Sequence, residues 1–295
     1  MDFRLYCCKM KVRDQVRGLA IKKGMKKMSG EYQNKLKLLC YNVFYKEIEE
    51  RKDNIFDVFL TRDADVMLLQ EVSIPWIPRL KEFMEEHGFS YYGYGRRGGE
   101  MMDKEMHEKE QFTPILWKTE KYNLVDKGHF FLSSTPEVFS SDWEDGTVSK
   151  FPRCVNWVIL QDKATGGEIM ALCIHTDPEN PDVRTKSSEL TVKMLEKIRQ
   201  GRPLIMGGDW NMQPEDAAYK ALIDGGYVDV RHNTDKTTAM GSFNAWGKRT
   251  PDNFAFGDYL FTSDNVKPEY FEVVDDRFDG VHASDHCPLE TIINY

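Results

Sequence analysis

The 295-residue sequence has no run approaching the ~20 apolar residues that a membrane-spanning helix requires. Its apolar segments, such as Ile169 to Ile174, are strand-length and end in charged or turn residues. Six cysteines (Cys7, Cys8, Cys40, Cys154, Cys173, Cys287) form no CxxC pair and no metal-type spacing, which speaks against a disulfide framework. Four of them stand in apolar segments, where cysteine behaves as a small buried hydrophobe, and this points to a reducing, cytoplasmic compartment. There is no P-loop, no strand–GxGxxG–helix unit, no HExxH helix and no GxSxG elbow, so nucleotide cradles of those kinds, zincin chemistry and a serine-hydrolase triad have no support. Internal repeats and low-complexity linkers are also missing.

The charge is unevenly placed. Residues 1–30 carry nine Lys/Arg against two Asp, which is +7, so a total of −8 leaves −15 on the remainder. An acidic body is a poor match for long nucleic-acid backbones, whose binding depends on phosphate neutralisation. A nucleic-acid partner is therefore possible but not favoured. The N-terminal stretch lacks the apolar core of about 7–15 residues of a secretory signal. Its basic residues beside Cys7 and Cys8 leave targeting or palmitoylation open, and Met28 could be an alternative start. The reading adopted is a solvated basic extension over residues 1–34, then a single catalytic domain over residues 35–295, acting as a monomer.

Short apolar runs alternate with amphipathic stretches along that domain. Leu36 to Val43 and Asp65 to Glu71 read as buried strands. Glu47 to Thr61 has helical periodicity through Ile48, Ile55, Phe56 and Phe59. Trp76 to His87 reads as a helix stopped by Gly88. Two to four strands are expected between Tyr91 and Leu132, with Arg96 to Glu110 a polar surface loop. Cys154 to Leu160 and Ile169 to His175 read as a hairpin turning through residues 163–167. Arg184 to Gln200 and Glu215 to Ile223 are helical, with strand Leu204 to Gly208 between them. The mixture of strand–helix alternation and hairpins fits an α/β four-layered sandwich: two mixed β-sheets face to face, helices on both outer faces.

The ends of the apolar runs carry the chemistry. They finish in Asn42, Glu71, His175 and Asp209, with Asn211 two residues on. Asp258 opens an apolar run, and Ser284-Asp285-His286 precedes the last strand. Any one of these alone reads as turn chemistry, and Gly207-Gly208 before Asp209 as a tight turn. Six together at strand ends, including Glu71 and His175, which are not turn formers, point to one rim of a rigid frame. Carboxylates with an Asn carbonyl are hard oxygen ligands, suited to Mg²⁺ or Mn²⁺ rather than zinc.

In that order, Asn42, Leu69-Gln70-Glu71, His175, Gly208-Asp209-Trp210-Asn211, Asp258-Tyr259 and Ser284-Asp285-His286 resemble the endonuclease/exonuclease/phosphatase superfamily, from about Leu36 to Tyr295. The resemblance implies a divalent-metal-dependent phosphoesterase that uses direct attack of water on a phosphodiester or phosphomonoester. It implies Glu71 as principal Mg²⁺ (or Mn²⁺) ligand, with Asn42 beside it and Asp285 in support. Asp209 would activate the water, Asn211 would hold a phosphate oxygen, and His286, oriented by Asp258, would stabilise the phosphoryl group. His175 resembles the branch that carries a histidine at this strand end. Phe112 to Trp117, Pro152-Arg153 and Gly241 to Gly247 resemble small microbial hydrolases, which makes Arg153 a phosphate-side candidate. Gln111, Ala255 or Phe256, and Pro178 in Thr176-Asp177-Pro178 depart from those relatives, where a glutamate, a basic residue and a second histidine are usual. A nuclease or deadenylase is the alternative activity, with Trp210, Phe243, Trp246 and Phe254 available to stack a base, and an inactive binding module is the alternative of another class.

Overall fold

The computed structural model describes residues 32–103 and 106–295. Except for its last three positions, the basic extension with Cys7, Cys8 and Met28 lies outside them. The order is β1 (Lys35–Asn42), α1 (Ile48–Arg62), β2 (Val66–Gln70), β3 (Val72–Ser73), α2 (Trp76–His87), β4 (Phe89–Tyr92), β5 (Gln111–Phe112), β6 (Ile115–Lys118), β7 (Tyr122–Phe131), β8 (Cys154–Asp162) and β9 (Glu168–His175). After these come α3 (Pro181–Ile198), β10 (Leu204–Asp209), α4 (Ala217–Asp224), β11 (Val228–Asp229), β12 (Asp258–Thr262), β13 (Lys267–Val273) and β14 (Leu289–Asn294).

One six-stranded sheet runs β13-β14-β1-β2-β6-β4 and the other β11-β12-β10-β9-β8-β7. Each contains a single parallel pair, β1 with β2 and β9 with β10, among antiparallel neighbours. The period-2 alternation of strand side chains explains the layering. Leu36, Leu38 and Cys40 of β1 meet Ala171, Cys173 and Ile205 of the other sheet in a shared interior. Leu39 and Tyr41 point the other way, onto Ile55, Phe59, Leu80 and Phe83 of α1 and α2. Leu172, Ile174, Leu204 and Met206 likewise cover themselves with Leu195 and Leu222 of α3 and α4. The result is helix, sheet, sheet, helix, with burial of about 1.5–3 kcal/mol per large aliphatic side chain as the main driving force.

One boundary moved, and two readings were refined, for physical reasons. α3 begins at Pro181, three residues before the expected Arg184, because the Asn180 side chain accepts from the N–H groups of Asp182 and Val183 and caps the helix, with proline suited to the first helical position. Gly207 and Gly208 form no turn: they lie inside β10. The stretch 96–110 is a loop, but not a purely superficial one, since Met101 and Glu110 are buried. Gly93 to Gly98 matches the GxGxxG spacing, yet leads from β4 into this loop and opens no helix.

Candidate active site

Strand register assembles the site. In the second sheet Asp209 is paired with His175 on one side and Asp258 on the other. In the first sheet Asn42 is paired with Gln70, which puts Glu71 one step beyond that rim. The two sheets meet where Asn42 Nδ2 donates to Asp209 Oδ2 at 3.1 Å. Gly207 allows this approach, and Gly208 allows the close pairing of β10 with β9 in its own sheet. A Cβ on Gly207 would meet Leu260 at 2.5 Å and Leu68 at 3.0 Å, and one on Gly208 would lie 2.7 Å from the Ile174 carbonyl carbon and collide with its oxygen.

Glu71 and Asn211 leave their strands with φ of 61° and 48°, a left-handed region that non-glycine residues enter at a cost and that gathers at functional sites. The Tyr45 N–H donates to Glu71 Oε2 at 3.2 Å, and the Asn211 N–H to Asp209 Oδ1 at 3.0 Å. The loop carrying Ser284-Asp285-His286 is pinned to β1 by Ser284 Oγ, which donates to the Asn42 carbonyl at 2.7 Å. It is held from the other side by Asn244, whose N–H reaches the Asp285 carbonyl at 2.9 Å.

Asp209 Oδ2 is the hub. Besides Asn42, it lies 3.5 Å from His175 Nε2 and 3.8 Å from His286 Nε2. His286 Nδ1 contacts Asp258 Oδ2 at 2.7 Å, and Ser242 Oγ donates to the same oxygen. An Asp behind a His fixes which ring nitrogen faces the reacting centre. Arg153 guanidinium nitrogens stand 3.2 Å from both ring nitrogens of His175.

Electrostatics follow from burial. Burial, then the charge of Asp258, pushes the Asp209 carboxyl up to about 7, with His286 opposing. Burial disfavours charge on His286, but Asp258, Asp209 and the hydrogen bond between His286 and Asp258 outweigh it and hold the imidazolium well above its ordinary range. His175 is held well below its ordinary value by burial and then by Arg153, so it is neutral. Burial raises Glu71 and Asp285, each partly offset by His286.

Asn42, Glu71, Asp209 and Asp285 thus crowd hard oxygen atoms where carboxylates resist ionisation, a donor set that a divalent cation satisfies. Asp209, Asp258 and His286 also converge within 4.8 Å of one another. There, however, Asp258 and His286 already bond each other, which leaves Glu71, Asn42 and Asp285 as residues that could hold a cation.

All the expected site residues are at this rim, with different surroundings. Trp210 and Phe254 are core residues, which removes them as stacking surfaces. Phe243, 5.0 Å from the His286 ring, and Trp246 stay on the half-buried rim. Asp177 is structural: Ser149 Oγ and the N–H groups of Glu179 and Asn180 donate to it. Gln111 lines the same cleft as Glu71, Arg153 and His175.

Three contributors escaped the sequence. Ser242 sits within the flagged 241–247 stretch. Arg96 was assigned to a surface loop. Arg51 is buried and donates to the carbonyls of Val43 at 3.0 Å and Ala283 at 2.6 Å, fixing the loops on both sides of Asn42. The signal for Arg51 was present, a charged residue midway in the Ile48–Ile55 apolar stripe.

Among curated proteins, an uncharacterized protein of Acanthamoeba polyphaga mimivirus is 24% identical over 180 residues, 54% of this chain and 26% of that protein, so the chain spans about a quarter of the relative it matches. Among solved structures, an endonuclease/exonuclease/phosphatase family protein from Bacteroides thetaiotaomicron aligns with TM-score 0.79 at 23% identity, covering 89% of this chain and 98% of that one. A mannosyl-6-phosphatase from the same organism aligns with TM-score 0.77 at 24% identity, covering 88% and 100%. The fold is the one these structures share, and the pattern of the Endonuclease/Exonuclease/phosphatase family matches residues 39–286. The chain belongs to that family of phosphoester-hydrolysing enzymes.

Proposed function

We propose that the protein is a Mg²⁺- or Mn²⁺-dependent phosphoesterase that hydrolyses a phosphodiester or phosphomonoester on a substrate of modest size by direct attack of water. The observation that carries this reading is the convergence on Asp209 Oδ2 of Asn42 from one sheet with His175 and His286 from the other. A metal held by Glu71, Asn42 and Asp285 would neutralise phosphate oxygen charge. Asp209 takes a proton from the attacking water as its oxygen bonds to phosphorus and the ester oxygen departs with the bonding pair. The Asn211 side chain holds a non-bridging oxygen. His286, kept charged and aimed by Asp258, faces the negative charge that gathers on the phosphoryl group. His175, neutral, lines the substrate side with Arg153. The phosphatase among the structural relatives supports a small substrate, and so does the acidic body, which disfavours long nucleic acids.

The test is release of 4-nitrophenol from bis-(4-nitrophenyl) phosphate with Mg²⁺ or Mn²⁺, comparing wild type with Asp209→Ala and His286→Ala. Equal rates for the three proteins would sink the reading.

A further inference from the structure

The turn between β1 and α1 is strained, and a buried guanidinium holds it. Phe44 and Glu47 have φ of 59° and 54°, the left-handed region that non-glycine residues keep only where their surroundings fix them. Those surroundings are largely Arg51, which is 7% exposed. One of its terminal nitrogens donates to the carbonyls of Val43 at 3.0 Å and Ala283 at 2.6 Å. The other donates to the carbonyls of Phe44 at 3.0 Å and Lys46. The rings of Phe44, Trp76 and Trp246 flank the guanidinium, with centroids 5.3, 5.8 and 5.3 Å from its central carbon. Among the described residues Arg51 has no carboxylate within ion-pair distance, whereas Arg62 on the same helix pairs with Glu272 and Asp276. An apolar side chain at this point of the Ile48–Ile55 stripe would fill the space without burying an unpaired charge, so packing alone does not account for an arginine.

What the guanidinium gathers is the backbone beside each residue assigned to the cation. In the turn, the Phe44 N–H donates to Asn42 Oδ1 at 3.1 Å and the Tyr45 N–H to Glu71 Oε2 at 3.2 Å. Across the gap, Ala283 leads into Ser284-Asp285, and the Asp285 carbonyl is held in turn by the N–H groups of Asn244 and Ala245. One side chain thus ties together three segments that are far apart in the sequence. We propose that Arg51 is a positioning residue for the cation, holding Asn42, Glu71 and Asp285 at the spacing a divalent ion needs while touching neither ion nor substrate. This rests on the metal-dependent reading above and names the residue on which its cation affinity depends. Two effects compete, with opposite signs. By Coulomb's law alone, removing a positive charge beside a cation site tightens cation binding. Removing the brace frees the turn and the 283–285 segment, which the cation must then order itself, and partners that orient metal ligands are worth about 10- to 100-fold in affinity. The proposal requires the second effect to win.

The experiment titrates Mn²⁺ into EDTA-stripped wild type, Arg51→Met and Arg51→Lys, followed by calorimetry, with circular dichroism to establish that each variant is folded. Arg51→Met keeps an unbranched side chain without the charge. Arg51→Lys keeps the charge but puts one ammonium in place of a two-ended fork. Both should bind Mn²⁺ about 10- to 100-fold more weakly than wild type. In hydrolysis of bis-(4-nitrophenyl) phosphate, the loss should fall on the Mn²⁺ concentration for half-maximal activity rather than on the rate at saturation. A folded variant that binds Mn²⁺ as tightly as wild type, or more tightly, overturns the proposal, and a lowered melting midpoint beside unchanged affinity makes Arg51 a brace for the fold alone. If Arg51→Met does not fold, Arg51→Lys decides by itself. Unchanged binding in the variants leaves the metal-dependent reading standing, whereas no Mn²⁺ binding to wild type removes that reading and the proposal with it.

Discussion

Gly208 offers the sharpest test of how the fold holds the site. Replacing it with alanine places a Cβ 2.7 Å from the Ile174 carbonyl carbon, whereas non-bonded carbons sit about 3.5–4.0 Å apart. The parallel β9–β10 pair must therefore open by roughly 1 Å, at the residue next to Asp209. The obstacle is backbone, so no rotamer change relieves it. Gly207→Ala is the internal control, because its Cβ would meet the side-chain tips of Leu260 at 2.5 Å and Leu68 at 3.0 Å, which can turn aside. Overpacking costs about 1–3 kcal/mol and occasionally more. We assign Gly207→Ala the lower part of that range and Gly208→Ala about 3 kcal/mol or above. At roughly 2–4 °C per kcal/mol for a chain of this order, Gly208→Ala should lower the melting midpoint by about 6–12 °C and the control by clearly less. Displacing Asp209 by roughly 1 Å should also cost about a hundredfold in turnover. Thermal unfolding by circular dichroism and hydrolysis of bis-(4-nitrophenyl) phosphate measure both. If Gly208→Ala melts no lower than Gly207→Ala and keeps wild-type turnover, the claim that Gly208 sets the β9–β10 spacing beside Asp209 is wrong.

Other perturbations probe the charges. Asp258→Asn should lower turnover by about 10²- to 10⁴-fold, and in EDTA it should cost about 3–5 kcal/mol near pH 6, because His286 is left buried without its partner. His286 has a raised pKa in the folded protein, so the pair's contribution is complete below about 6.5 and fades as pH climbs through the folded value. The gap in stability between wild type and variant must narrow with rising pH, and a constant gap contradicts the pairing. His175 is the opposite case, with a depressed folded pKa. Below about 6.5 the unfolded chain takes a proton that the folded one refuses, so wild type should lose stability relative to His175→Gln as pH falls from about 7 to 5. A difference that stays flat over that range would mean that His175 is not buried in neutral form. Chelation should abolish hydrolysis, with Mg²⁺ or Mn²⁺ restoring it, and Glu71→Gln should need a far higher metal concentration for half-maximal activity. Unchanged metal dependence in that variant would move the cation away from Glu71.

The strand ends were legible because an apolar run that stops at a ligand-type residue is a local pattern. Asn42, Glu71, His175, Asp209, Asp258 and His286 could each be found without knowing which strands are neighbours. The layering was legible too, since hairpins and strand–helix units alternate along the chain. What escaped depends on long-range pairing. Nothing near Arg96 in sequence shows that its loop folds back over the Arg153 end of β8. Gly207-Gly208 fell in the expected strand, but nothing local showed that they admit Ile174 and Leu260, which come from other strands. Asn180-Pro181 was a local capping signal and was simply passed over. The basic extension, with its targeting and lipidation possibilities, lies outside the described residues.

The bond from Asn42 to Asp209 has a consequence for how activity reports on the fold. The groups proposed to hold the cation come mainly from the first sheet and its flanking loops, whereas the base and its histidine neighbour come from the second. Among the described residues no strand pairing joins the two sheets, and side-chain packing, helped by side-chain bonds such as Asn42 to Asp209 and Gln70 to Cys173, sets their spacing. Turnover is therefore a gauge of how the two halves are seated on each other. Substitutions in the shared interior far from the rim, around Leu38, Ala171 or Ile205, should register in kcat before they register in helix content.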